Sequence, residues 1–222
     1  MKAVCLVSGG LDSCVASAIA SKDCGELYFL HINYGQRTEE REKRAFHELA
    51  KHFNTLKTLE VDVAFLKEIG GSSLTDDTLV VPKADLQRKD IPSTYIPFRN
   101  ANILSIAVSW AEVLGANRIY FGAVEEDSSG YPDCRESFVE KFNEVIVEGT
   151  KPETKIEIKT PLIHLSKKEI VKKGKELKAP FHLTWSCYQS NGPKACGVCD
   201  SCALRRRGFQ KAGLEDSIEY EK

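Results

Sequence analysis

Two stretches of this chain combine residue types and spacings that do chemistry. Residues 3–16, AVCLVSGGLDSCVA, set Ser8, Gly9, Gly10, Leu11, Asp12 and Ser13 behind a short apolar run and ahead of a segment of small residues. Glycines in such a turn let backbone N–H groups converge on an anion. The start of the helix beyond adds a favourable dipole, and the hydroxyls of Ser8 and Ser13 add donors. That chemistry suits the holding of a phosphate. The stretch has no GxGxxG and lacks the lysine of GxxxxGK[ST], so it is neither of the commonest phosphate fingerprints.

The second stretch lies near the other end, where SCYQSNGPKACGVCDSC places Cys187, Cys196, Cys199 and Cys202 in the spacing C-x8-C-x2-C-x2-C. Four thiolates on knuckle-like turns match tetrahedral zinc, and Gly192, Pro193 and Gly197 supply the turns. With every position filled by cysteine no site is left for water or substrate, so such a zinc is expected to be structural. An iron-sulfur cluster uses the same ligands, and the spacing does not exclude it.

Weaker candidates sit in EEDSSGYPDCRESF. Glu125, Glu126, Asp127 and Asp133 offer carboxylate acceptors, Tyr131 a stacking face and Arg135 a fork for a carboxylate or phosphate. A carboxylate can accept from the adjacent N–H donors of a guanine-like edge. Cys134 reads as a bystander, because no histidine accompanies it in sequence. Cys5 and Cys14 read as core residues, as do His31 and His164 as structural groups, with His47, His52 and His182 at the surface or in packing.

The elements that must position these residues alternate between strand and helix. A strand at 3–7 precedes a helix at 13–20, a strand at 26–34, an amphipathic helix at 40–53 and a strand at 55–63. Residues 70–97, rich in glycine, proline and polar groups, form a long connection and a candidate lid or binding loop. A helix at 99–114, a strand at 118–124, a helix at 135–148, a strand at 155–162 and a helix at 165–177 follow. The last opens with a capping box, Ser166 and Glu169. This pattern predicts an α/β fold, a Rossmann-like parallel sheet with helices on both faces, in which the first loop lies at a strand's carboxyl end. Residues 1–180 are expected to form that domain and 181–222 a cysteine-rich appendage.

Composition narrows the partners. The chain has 222 residues, 42% of them hydrophobic, with 31 basic and 32 acidic side chains and a formal charge of −1. Such a balance gives no general attraction to nucleic acid or to an anionic membrane, so small molecules are the expected partners. Met1 and Lys2 lead into an apolar run too short for a signal-peptide core, and no run approaches a membrane span, so a cytoplasmic location is expected. There the eight cysteines are expected to stay reduced.

The stretch SGGLDS resembles, at all six positions, the SGGxDS loop of the PP-loop ATP pyrophosphatases. Together with NYGQR, YIPFRNANILSIA, EEDSSGYPDCRESF, TPLIHLSKKEIV and CYQSNGPKACGVCDSCALRRRGF, it makes the chain similar to the 7-cyano-7-deazaguanine synthase family along nearly its full length. The resemblance implies that Ser8 to Ser13, with Arg99 and Asn100, contact ATP, and that Asp12, Ser13 and Arg99 take catalytic roles. It implies zinc on the four cysteines, magnesium with ATP, and a homodimer. The implied reaction adenylates the carboxylate of a deazapurine, displaces AMP with ammonia from solution, and dehydrates the amide after a second activation. The β,γ-pyrophosphate is then held as one unit, and the products are AMP and pyrophosphate. A tRNA-thiolating PP-loop enzyme is the rival reading. Another is a nucleic-acid module using Arg205, Arg206 and Arg207, although such a run is more often a solvated face or dimer contact.

Overall fold

The structure, a computed structural model, describes residues 1–88, 90–125 and 130–221. Five strands, β1 (Lys2–Leu6), β2 (Glu26–Asn33), β3 (Lys57–Asp62), β4 (Arg118–Tyr120) and β5 (Glu157–Lys159), form one sheet in the order β3-β2-β1-β4-β5. All four pairings are parallel. The central strands read as unbroken apolar runs because both of their faces are covered. On one face Val4, Leu6, Tyr28, Leu30 and Ile32 pack with Leu104, Ala107 and Ala111 of α4 (Arg99–Leu114). On the other, Ala3, Cys5, Val7 and Phe29 meet Cys14, Val15 and Ala18 of α1 (Leu11–Asp23) and Phe46 and Leu49 of α2 (Glu39–His52). The expected α/β architecture with helices on both faces is what forms.

The chain winds outward through β1, β2 and β3, then returns to place β4 on the other side of β1. This reversal opens a crevice at the carboxyl ends of β1 and β4, where ligands of such sheets bind. Both β4 and β5 are shorter than their apolar runs predict. After Tyr120 the chain leaves the sheet at Gly122, which crosses the backbone of α1 so closely that a Cβ there would lie 3.0 Å from the Ser13 nitrogen. Helix α1 begins at Leu11, two residues earlier than the sequence suggests, and a short helix, α3 (Phe65–Ile69), was not anticipated.

Helix α5 (Glu136–Gly149) packs beside β5, and α6 (Lys167–Glu176) opens with the expected capping box on Ser166 and Glu169. The carboxyl-terminal segment then returns over the sheet. Trp185 donates its backbone N–H to the Gly9 carbonyl at 2.8 Å. The last helix, α7 (Asp200–Ala212), lies against α6, with Gly208 allowing the backbone of Lys167 to approach. The long connection at 70–97 is tied down rather than loose: Arg37 donates to the carbonyl of Ser73 at 2.9 Å, the Ala84 N–H reaches the carbonyl of Val198 at 2.8 Å, and Arg88 pairs with Asp200 at 2.9 Å. Among the described residues, no helix is long and apolar enough to cross a membrane.

Candidate functional site

A cavity of about 250 Å³ occupies the crevice. Its floor is the Ser8 to Ser13 turn; one wall is the end of β2 with Tyr34 and Glu42, and another is Arg99 and Asn100 at the start of α4. Gly9 has φ +85°, and a Cβ there would come within 2.9 Å of both the Ala45 Cβ and the Glu42 carbonyl oxygen, so only glycine fits. Within the turn the Ser8 hydroxyl donates to Ser13 Oγ at 3.3 Å, and the Ser13 hydroxyl donates to the Gly10 carbonyl at 3.0 Å. Gly10 is the N-cap of α1 with no side-chain cap; the Leu11 amide reaches Ser186 Oγ at 3.4 Å, and Asp12 and Ser13 behind it line the cavity.

Asp12 does not cap the helix. Its Oδ2 accepts from Lys167 Nζ at 2.7 Å, while Oδ1 is buried with no partner among the described residues. Lys167 is buried and reaches the turn from 155 positions away, supplying from α6 a cation the loop lacks in its own sequence. The signal for it was present: Lys167 stands at the head of the stripe Ile170, Val171, Gly174, the buried face of an amphipathic helix.

Aromatic side chains line the far end, with Tyr34, Tyr131 and Tyr188 on the cavity wall. The Arg99 guanidinium lies 5.0 Å over the Tyr34 ring and donates to Asn100 Oδ1 at 3.2 Å. The Tyr131 hydroxyl is anchored on Thr94 Oγ1 at 2.9 Å. Glu42 accepts from Thr38 at 2.6 Å and Gln36 at 3.1 Å, and burial pushes its carboxyl up to about 7 against the pull of those bonds and of Arg99. Cys134 borders the cavity but is no thiolate: burial, then the Asp133 charge, push it up to about 12.

The four knuckle cysteines converge, their sulfurs all within 4.8 Å of one another. A tetrahedral zinc with bonds of about 2.3 Å sets its sulfurs about 3.8 Å apart. Cys196 Sγ and Cys202 Sγ stand at 3.9 Å. Backbone amides of Gln189, Ser190 and Cys196 point at Cys187 Sγ at 3.3–3.4 Å, as suits an anionic sulfur. Hydrogen bonds from Cys199 and Cys202, then those amides, hold Cys187 well below the usual thiol range. This donor set fits zinc, held by Cys187, Cys196, Cys199 and Cys202.

The model of the family described as queuosine biosynthesis protein QueC matches residues 2–213. The chain belongs to that family. The 7-cyano-7-deazaguanine synthase of Chlorobaculum tepidum is 62% identical over 221 residues, spanning 100% of this chain and 97% of that one. The protein of the same name from Chlorobium phaeobacteroides is 60% identical over 222 residues, spanning 100% and 98%. A solved 4-thiouridine synthetase in complex with RNA and bound ATP aligns with 96% of this chain and 50% of that one, at a TM-score of 0.56 and 20% identity. At that identity the likeness is one of fold.

The residues singled out from sequence in this QueC-family chain divide into two groups. The Ser8 to Ser13 turn, Arg99, Asn100 and Tyr131 meet at one cavity. Asp133 and Arg135 do not line it: Asp133 Oδ2 accepts from the Asn100 amide at 3.0 Å, and Arg135 is exposed at the N-cap of α5. Glu125 accepts from the Glu136 amide at 2.9 Å. Glu126 and Asp127 lie outside the described residues. His31 is buried between the Val7 carbonyl at 2.8 Å and Asn33 at 3.1 Å, the structural role expected of it. Arg205 departs from the expected solvated face. It is 2% exposed and paired through Nε with Asp216 at 2.8 Å.

Proposed function

We propose that this chain converts 7-carboxy-7-deazaguanine and ammonia to 7-cyano-7-deazaguanine, through an acyl-adenylate and an amide, with AMP and pyrophosphate released at each activation. The observation that carries this reading is full-length membership of the QueC family, with relatives of that activity's name about 60% identical from end to end. The ATP-dependent class agrees with a cavity whose floor is the SGGLDS turn.

The roles follow from the groups present. The amides of Asp12 and Ser13 and the Lys167 ammonium meet the β,γ-pyrophosphate and take up the charge that grows on it as the α-phosphorus is attacked. Magnesium bound with ATP would neutralise charge on its oxygens, and Asp12, whose Oδ1 has no partner among the described residues, would help hold it. Arg99 and Asn100 contact the nucleotide or the carboxylate being activated. Tyr34, Tyr131 and Tyr188 hold the flat deazapurine, and its guanine edge is read by carboxylates of the loop after β4, Glu126, Asp127 and Asp133, the last with no partner for its Oδ1 among the described residues. The zinc holds the knuckle together and takes no part in the bond changes. Residues 1–180 form the ATP-binding unit and 181–222 the zinc-holding one; two copies associate, ammonia is taken from solution, and the reducing cytoplasm suits the free thiols.

Incubation with ATP, ammonium and candidate deazapurines, followed by product masses and nucleotide chromatography, tests the reading. Nitrile product with AMP and pyrophosphate is expected. ADP as the stoichiometric nucleotide product overturns it.

A further inference from the structure

Ser186 belongs to neither sequence motif's chemistry, yet its side chain lines the cavity beside Ser8 and Ser13. Its oxygen accepts twice, from the Leu11 amide of the turn at 3.4 Å and from Arg205 Nη1 at 3.3 Å. A hydroxyl has two acceptor lone pairs and one proton. With both lone pairs engaged, Ser186 retains only its donor, and no acceptor takes it among the described residues. The hydroxyls of Ser8 and Ser13 stand in contrast, since both protons are spent inside the turn, on Ser13 Oγ and on the Gly10 carbonyl.

Arg205 is what fixes this arrangement. Its Nε and Nη2 hold the two oxygens of Asp216 at 2.8 and 2.9 Å, Nη2 also reaches the Phe181 carbonyl at 3.3 Å, and Nη1 reaches Thr184 Oγ1 at 2.7 Å as well as Ser186. All five N–H donors are used, so the guanidinium has none left for a phosphate. It faces the cavity as a strut.

We propose that Ser186 is an ATP-binding residue, donating its hydroxyl to a phosphate oxygen held on the Ser8 to Ser13 turn, and that Arg205, clamped by Asp216, is the positioning residue that aims it. This rests on the reading of that turn as the ATP loop and adds a phosphate donor from the carboxyl-terminal segment.

The test measures the dissociation constant of α,β-methylene-ATP and of inorganic pyrophosphate, by calorimetry on the full-length zinc-loaded protein. Losing a hydrogen bond to a charged group, Ser186→Ala is expected to weaken both ligands about tenfold while leaving zinc content and melting temperature near those of the parent. Ser186→Thr keeps the hydroxyl and restores binding. Asp216→Asn weakens both ligands in the same direction, and the Ser186→Ala, Asp216→Asn double variant binds no worse than Ser186→Ala alone, because the strut acts through that hydroxyl. Unchanged affinity in Ser186→Ala, or additive losses in the double variant, overturns the proposal. If Asp216→Asn fails to fold, the Ala and Thr pair at Ser186 decides. Binding does not depend on turnover: a parent that binds ATP but makes no nitrile refutes the proposed reaction alone, and one that binds no ATP refutes both.

Discussion

Two loops leave the carboxyl ends of neighbouring parallel strands, Ser8 to Ser13 after β1 and Glu125 to Arg135 after β4, and they are put to opposite uses. The first turns its backbone toward the cavity. The second, where it is described, sends Tyr131 to the cavity wall but turns its carboxylates toward helix starts, Glu125 to the Glu136 amide of α5 and Asp133 to the Asn100 amide of α4. A strand end brings a loop near a ligand, but glycines decide whether its amides can converge there. Carboxylates in such a loop are claimed by the nearest unsatisfied helix amides.

The largest test of this contrast goes through the metal. The first loop is strapped to the cysteine-bearing segment through its backbone by the Trp185 amide, whereas the second meets that segment through a side-chain hydrogen bond between Tyr131 and Tyr188. Structural zinc is worth about 10–16 kcal/mol in small peptides, so Cys199→Ala, or chelation, is expected to cut soluble yield and melting temperature sharply. Elemental analysis should give one zinc per chain, and iron with acid-labile sulfide would overturn the assignment. Next in size is Gly9→Ala, which combines a positive φ with a close contact and should cost about 3 kcal/mol and abolish AMP formation. Calorimetric melting and nucleotide chromatography read the two effects separately.

A smaller effect concerns Glu42 on the wall beside the first loop. Its carboxyl rises from 4.5 unfolded to about 7 folded, so the folded protein keeps a proton that the unfolded chain has released. The stability this contributes is present below pH 4.5 and is lost as pH rises through about 7. Glu42→Gln is fixed neutral and lacks that slope. Its melting temperature, relative to the parent, should therefore climb across the interval, and a pH-independent difference would place the carboxylate in water. Smallest are the second loop's changes. Asp133→Asn should cost about 1 kcal/mol through the weakened hold on α4, and Arg135→Ala less than about 0.5 kcal/mol with kinetics unaltered. A large rise in KM for the deazapurine on replacing Arg135 would show that Arg135 joins Tyr131 of the same loop at the substrate.

What sequence could reveal followed the same division. The sheet was legible because doubly covered strands are unbroken apolar runs, and the turn and the cysteines because their chemistry lies within a few consecutive residues. Lys167 and Ser186 were not read, since each serves a turn 155 and 175 positions away, and Arg205 was read as a solvated face although its partners lie only 11 to 24 positions off. For two of them a local signal exists. Lys167 heads a buried stripe on α6, and Arg205 falls between Cys202 and Phe209 on the buried face of α7, whereas Arg206 points outward. A charge on an apolar stripe is costly unless paired, which marks it for a partner elsewhere. Ser186 carries no such mark. Neither strand length nor the duty of Asp133 was legible, because close packing at Gly122 and an open helix amide at Asn100 are tertiary facts.

The bond from the Trp185 amide to the Gly9 carbonyl also sets an order of events during synthesis. The glycine turn leaves the ribosome well before the residue that straps it down. A nascent chain that already displays the entire SGGLDS motif therefore waits, unlatched, until Trp185 is translated. A chain cut short at residue 180 keeps every residue of that motif, and its turn lacks both the strap and the Ser186 hydroxyl. The strapped form of the turn thus requires that the chain has been made past Trp185.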